Sequence, residues 1–216
     1  MERNNTFKKS YLFLNPLNIF HFFHFLSQFL LRPIKETREI IKNLILQYGG
    51  EVSKLKILDF GCGEGIFSRD FRNTEIGYYG VDKDFNHIYF AKKFYHIKYL
   101  LLCNEEICFK DRSFDFIILN NVLHHLTLNI KKKMLSEIKR VQKEQGKLIV
   151  IELFPQNKYM NRLFRFIISI EKKIRNSEYH TPDFYYNFFQ DGFENIYYNK
   201  INNNFYILLF QNNYSI

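Results

Sequence analysis

The segment Ile57–Gly65, ILDFGCGEG, restricts the fold more than any other part of this chain. Ile57-Leu58-Asp59-Phe60 reads as a short buried strand, and Gly61, Gly63 and Gly65 follow at alternate positions. Glycines at that spacing let the backbone turn tightly at a strand end and approach a ligand with no Cβ in the way. A helix beginning at Phe67 would then offer free N–H groups. Seventeen residues after Gly65, Asp82 ends a second strand, where a carboxylate can accept hydrogen bonds from both ribose hydroxyls. The acid two residues before the first glycine, Asp59, would repel a pyrophosphate. It suits a ligand bearing an ammonium and a sulfonium. The competing reading is a plain strand–helix turn with Asp59 as its cap.

The alternation continues. Tyr78–Asp82, Lys98–Leu102, Phe114–Asn120 and Lys147–Glu152 read as strands. Phe85–Tyr95 and Asn129–Gln142 read as helices between them. Short apolar strands separated by helices imply a parallel sheet with both faces covered. Thr181-Pro182 opens a further helix as N-cap and first residue, and Gly192 closes it. Two apolar runs around Asn202-Asn203-Asn204 then read as an antiparallel hairpin.

Before this block, Ser10–Leu31 carries no charge, but Asn15, Pro16, Asn18, His21, His24 and Gln28 interrupt it. The pattern predicts an amphipathic helix from Pro16, not a membrane span or a cleaved signal. It could act as a lid or lie in a membrane interface. A second helix, Lys35–Tyr48, stops at Gly49-Gly50. The expected organisation is a helical cap over 1–50 and a ligand-binding domain over 51–216, one globular unit overall.

The net charge of +9 is uneven: residues 1–56 and 158–175 carry +5 each, and 176–216 carry −3. Localised basic segments suit an anionic membrane, a phosphorylated substrate or nucleic acid, or are solvated helix faces. Three cysteines without framework or zinc spacing argue against a stapled secreted domain, so a cytoplasmic location is expected.

Four stretches resemble the class I S-adenosylmethionine-dependent methyltransferases, in the small-molecule, type 11-like branch. They are ILDFGCGEG, YYGVDKD, FKDRSFDFIILNNVLHHL and GKLIVIE, in that order over about residues 54–152. The resemblance implies a doubly wound, Rossmann-like α/β fold: a seven-stranded sheet with an antiparallel last strand and helices on both faces. It implies S-adenosyl-L-methionine as cofactor. Asp59 and the backbone of Gly61, Cys62, Gly63 and Gly65 would hold its amino-acid end, Asp82 its ribose and Lys83 its adenine face. Asn104 and Glu105 fall where the family contacts the adenine amine, and Asn120 lies beside the methionine portion.

Methyl transfer from a sulfonium needs an aligned acceptor and, for some acceptors, a base. His124, His125 and Glu152 fall at the right strand ends. Taken singly, each histidine reads first as a packed or solvated residue of a helical turn, and Glu152 equally as a solvated strand terminus. NNVL after the fourth strand, where an NPPY-like tetrapeptide would mark amide or base-amine methylation, argues against those acceptors. No acidic cluster suggests a metal. The expected acceptor is a small, hydrophobic or lipid-like molecule, met near an anionic membrane. The alternatives are an RNA methyltransferase using the basic segments on phosphates, and a cofactor-binding protein without catalysis.

Overall fold

The computed structural model describes residues 33–94, 98–101, 107–154, 162–202 and 204–213. The expected helix over 15–31, and Asn104 and Glu105, lie outside them. Helix α1 (Ile34–Tyr48) precedes β1 (Lys56–Phe60), β2 (Gly77–Asp82), α2 (Phe85–Phe94), β3 (Lys98–Leu101) and β4 (Phe114–Asn120). Then come α3 (Leu128–Val141), β5 (Gln142–Leu153), α4 (Arg162–Arg175), α5 (Pro182–Phe189), β6 (Phe193–Lys200) and β7 (Phe205–Asn212). The strands form one seven-stranded sheet in the order β3-β2-β1-β4-β5-β7-β6. β1 to β5 are parallel neighbours, while β7 runs antiparallel to both β5 and β6.

Strand alternation sorts the core into two layers. Leu58, Ile117, Leu119, Leu148, Val150, Leu208 and Phe210 face Met134 and Ile138 of α3 and Phe189 of α5. Ile57, Phe116, Ile118, Ile149, Ile151, Ile207 and Leu209 face Ile41, Leu44 and Ile45 of α1, together with Phe67 and Phe71. Strands buried on both faces are apolar at nearly every position, which is why they read as continuous runs.

Two local expectations are corrected. The helix expected from Phe67 is a five-residue 3-10 turn, Ile66–Asp70. Its chain closes by successive i→i+3 bonds, Ser68 N–H to Gly65 O, Phe71 N–H to Ser68 O and Thr74 N–H to Phe71 O. The Thr74 hydroxyl also caps the Phe71 carbonyl at 2.8 Å, so the turn cannot lengthen into an α-helix before β2 begins. Strand β5 does not start at Lys147 but follows α3 directly at Gln142. It is irregular there: Phe114 pairs with Gln142 and Phe116 with Lys147, so five steps on β5 oppose two on β4. Gln145, at φ 60°, takes up the bulge. The Thr181 cap of α5 is as expected, its hydroxyl accepting the Phe184 N–H at 3.2 Å.

Candidate functional site

The carboxyl ends of β1, β2, β4 and β5 lie side by side in the sheet, so the loops that follow them form one rim. Gly61, Gly63 and Gly65 all have positive φ (74°, 53° and 75°), a conformation open to glycine at little cost. A Cβ on Gly61 would lie 2.5 Å from Val122 Cγ2, so the loop after β1 packs directly on the loop after β4. A Cβ on Gly63 would meet nothing within 4 Å: here the backbone faces open space.

The loop's N–H groups are largely spent. Gly61 and Cys62 donate to the Val81 carbonyl at 2.8 and 3.0 Å, and Gly65 to the Cys62 carbonyl at 3.0 Å. Gly63 donates to Asp82 Oδ2 at 2.8 Å. A phosphate cradle needs those donors turned outward. With them turned inward, the loop offers carbonyl oxygens and the Asp59 and Asp82 carboxylates to a ligand, a set suited to hydroxyls and positive charge. These groups fit the ribose and the ammonium end of S-adenosylmethionine.

The two carboxylates differ in environment. Asp59 is buried and accepts the Tyr78 hydroxyl at 2.5 Å. Burial pushes its carboxyl up to about 7; the Tyr78 bond opposes this in part, and the nearby Asp82 charge adds to it. Asp82 also accepts the Asp84 N–H at 2.9 Å, with His87 Nδ1 at 3.6 Å. Burial alone would raise it, but His87 and the amides of Asp84 and Gly63 together hold it below the usual range. His87 is raised in turn, first by Asp82. Cys62 turns its side chain away from the rim to pack on Ile88 and Ala91 of α2, so only its backbone belongs to the loop. Lys83 is exposed beside Asp82.

Across the rim, Asn120 ends β4 and its Oδ1 accepts from Asn121 Nδ2 at 2.9 Å. Asn121 takes a left-handed turn (φ 56°) into the 3-10 turn Leu123–His125. That turn brings His124 onto Glu152, at the end of β5. Glu152 is not a solvated terminus: it is fully buried, Oε1 accepting the Leu123 N–H and Oε2 facing His124 Nδ1, both at 2.7 Å. An ionised Glu152 only accepts, so the hydrogen-bonded Nδ1 carries a proton; in that tautomer a neutral ring keeps its lone pair on Nε2. Tyr179 stacks on the other face of His124, with centroids 4.7 Å apart and planes 14° from parallel. His125 is half-buried with Nδ1 3.1 Å from the Ser177 hydroxyl. The sequence marks Tyr179, with Tyr11 and Tyr159, only as able to reach the pocket, and His87, Asn121 and Ser177 not at all; the tertiary fold gathers them. Among the described residues, no group of three or more potential metal ligands clusters.

Residues 58–150 match the family model described as a methyltransferase domain. Two curated proteins of Methanocaldococcus jannaschii, the uncharacterised MJ0638 and MJ1123, are each 32% identical to the chain over 67% and 69% of its length. The chain spans 57% and 66% of those relatives. The PH0226 protein of Pyrococcus horikoshii has the same fold, with a TM-score of 0.67 at 16% identity over 89% of this chain and 98% of that one. A structure described as a SAM-dependent methyltransferase of Methanosarcina mazei aligns with a TM-score of 0.61 at 18% identity, over 78% of this chain and 96% of that one. Residues 58–150 therefore form a methyltransferase domain, on the fold that these solved structures share.

Proposed function

We propose that the protein catalyses methyl transfer from S-adenosylmethionine to a small, hydrophobic or lipid-like acceptor. One observation carries the reading: the glycine loop with its two acids packs, through Gly61 and Val122, against the loop that carries an oriented histidine. When bound, S-adenosylmethionine supplies an electrophilic methyl group. Asp82 holds the ribose hydroxyls on the lone pairs left over from the Gly63 and Asp84 amides. Asp59 and the loop carbonyls take the ammonium end, Lys83 and the 104–105 segment the adenine, and Asn120 the methionine portion. His124 is the base, accepting the acceptor's proton at Nε2. Glu152 positions it, because both of its oxygens are engaged within the protein. His125 borders the acceptor side.

The acceptor class rests on composition beside the rim. Helix α2 starts at the rim with Phe85 and Tyr89 exposed, and Lys92 and Lys93 lie towards its far end. Helix α4 exposes Phe166 between Arg165 and Lys172, and its Ile168 packs on Leu153 at the end of β5. Aromatic and basic side chains together favour an anionic interface, and such an acceptor would be met by a cytoplasmic protein at the membrane surface. No helix among the described residues is long and apolar enough to cross a membrane. Labelled S-adenosylmethionine incubated with lipid, small-molecule and RNA extracts tests the reading. Label in the lipid fraction is expected. Label in RNA alone would replace the acceptor class, and no product with bound cofactor would favour a non-catalytic binder.

A further inference from the structure

Lys131, in the first turn of α3, is an expensive residue: its side chain is wholly enclosed. Taking an ammonium out of water is costly unless it is paired, and burial indeed lowers its affinity for a proton, with Glu178 and Glu152 opposing. Among the described residues its close partners come from the connector 176–181 between α4 and α5 and from the start of α5, with the Glu152 charge of β5 beyond them. Nζ lies 3.0 Å from His180 Nε2, 3.6 Å from Glu178 Oε2, and 5.8 Å from the centre of the Phe184 ring. An ammonium only donates, so His180 accepts and is neutral at Nε2. Its ring is wedged against Phe184, with centroids 3.8 Å apart.

The same connector grips the turn that carries the proposed base. The Glu178 N–H donates to the His124 carbonyl at 2.7 Å, Ser177 meets His125, and Tyr179 covers the His124 ring. α3 is the fixed side, anchored by Met134, Ile138 and Val141 in the core. We propose that Lys131, acting through His180, is a positioning residue for methyl transfer: it fastens the connector to α3 so that His124 is clamped between Glu152 and Tyr179. The inference rests on the proposed role of His124.

The clamp has a readout that needs no acceptor. A stacked tyrosine shifts the His124 ring protons upfield, and Glu152 fixes the tautomer seen in its ring nitrogens. Both are read by NMR on histidine-labelled full-length protein, with His124→Asn assigning the signals and Tyr179→Leu giving the unstacked reference. In Lys131→Met and His180→Leu the His124 signals should move to the Tyr179→Leu values. In His180→Gln, whose amide oxygen can still accept from Lys131, they should stay near wild type. If Lys131→Met does not fold, the two His180 variants carry the comparison. Unchanged His124 signals in Lys131→Met and His180→Leu would overturn the proposal. So would loss of stacking in both His180 variants with wild-type signals in Lys131→Met, which would assign the clamp to the His180–Phe184 stack. Calorimetry with S-adenosylmethionine on the wild type separates failure of the methyltransferase reading from failure of the clamp, since the NMR comparison is made on the protein without cofactor.

Discussion

Replacing Asp59 with asparagine removes a buried carboxyl whose folded value, about 7, lies far above the ordinary 3.8. A raised carboxyl contributes stability that is fully present below the unfolded value and is lost as pH rises through the folded one. Between pH 5 and pH 7 the folded wild type holds this proton and the unfolded chain does not. Stability therefore falls by about 1.4 kcal/mol per pH unit from this group, or about 2.5 kcal/mol across that window. The asparagine variant lacks the slope. Its amide also disturbs the Tyr78 bond, but that offset does not vary with pH below the tyrosine range. Urea unfolding of both proteins at pH 5, 6, 7 and 8 should give a difference that moves steadily in favour of Asp59→Asn and levels off above pH 7. His87, raised by Asp82, is common to both proteins, so the difference between the proteins, and not either curve alone, is the quantity to follow. A pH-independent difference would refute the reasoning that Asp59 is a desolvated acid awaiting a cation. With the ligand present, the ionised form gains a partner, so wild-type affinity for S-adenosylmethionine should rise from pH 5 to pH 8.

Asp82→Ala should weaken cofactor binding in calorimetry by roughly 1.5–3 kcal/mol for each hydroxyl bond lost, and Gly63→Arg should abolish it by filling the open space over the loop; wild-type affinity in both would remove this loop from the site. Gly61→Ala should destabilise the fold by about 1–3 kcal/mol, because its Cβ meets Val122 and its φ is left-handed. Adding Val122→Ala should recover only the steric part in thermal unfolding. His124→Ala should slow turnover about 10²–10⁴-fold if proton removal accompanies transfer, with cofactor affinity unchanged. Activity should survive a chelator; loss restored by magnesium would point to a metal the acids serve.

The parallel strands were legible because burial on both faces makes them almost wholly apolar, with Asp59 the exception between Ile57 and Phe60 and none between Phe116 and Leu119. The loop and Asp82 were legible because a short spacing along the chain fixes them. What escaped is tertiary. The Tyr78 bond to Asp59 arises from the register of β1 on β2, and the Lys131–His180 contact joins residues 49 apart. Ile66–Phe71 carries the apolar content of a helix, yet the short span to β2 leaves room only for i→i+3 turns. Glu152 reads as a polar terminus until Leu123 and His124 are folded onto it.

The position of β7 between β5 and β6 governs the order in which the sheet can assemble. β6 leaves the chain first but has no partner other than β7 within the sheet. It must wait as a hairpin arm until residues 205–212 slot against β5, with Gln211 closing onto Lys147 across 64 residues. Contacts of that span are slow to form. Until they do, Ile207 and Leu209 stand bare on one side and Leu208 and Phe210 on the other. Until then this face is the region most open to wrong pairing, and chaperone dependence should concentrate there.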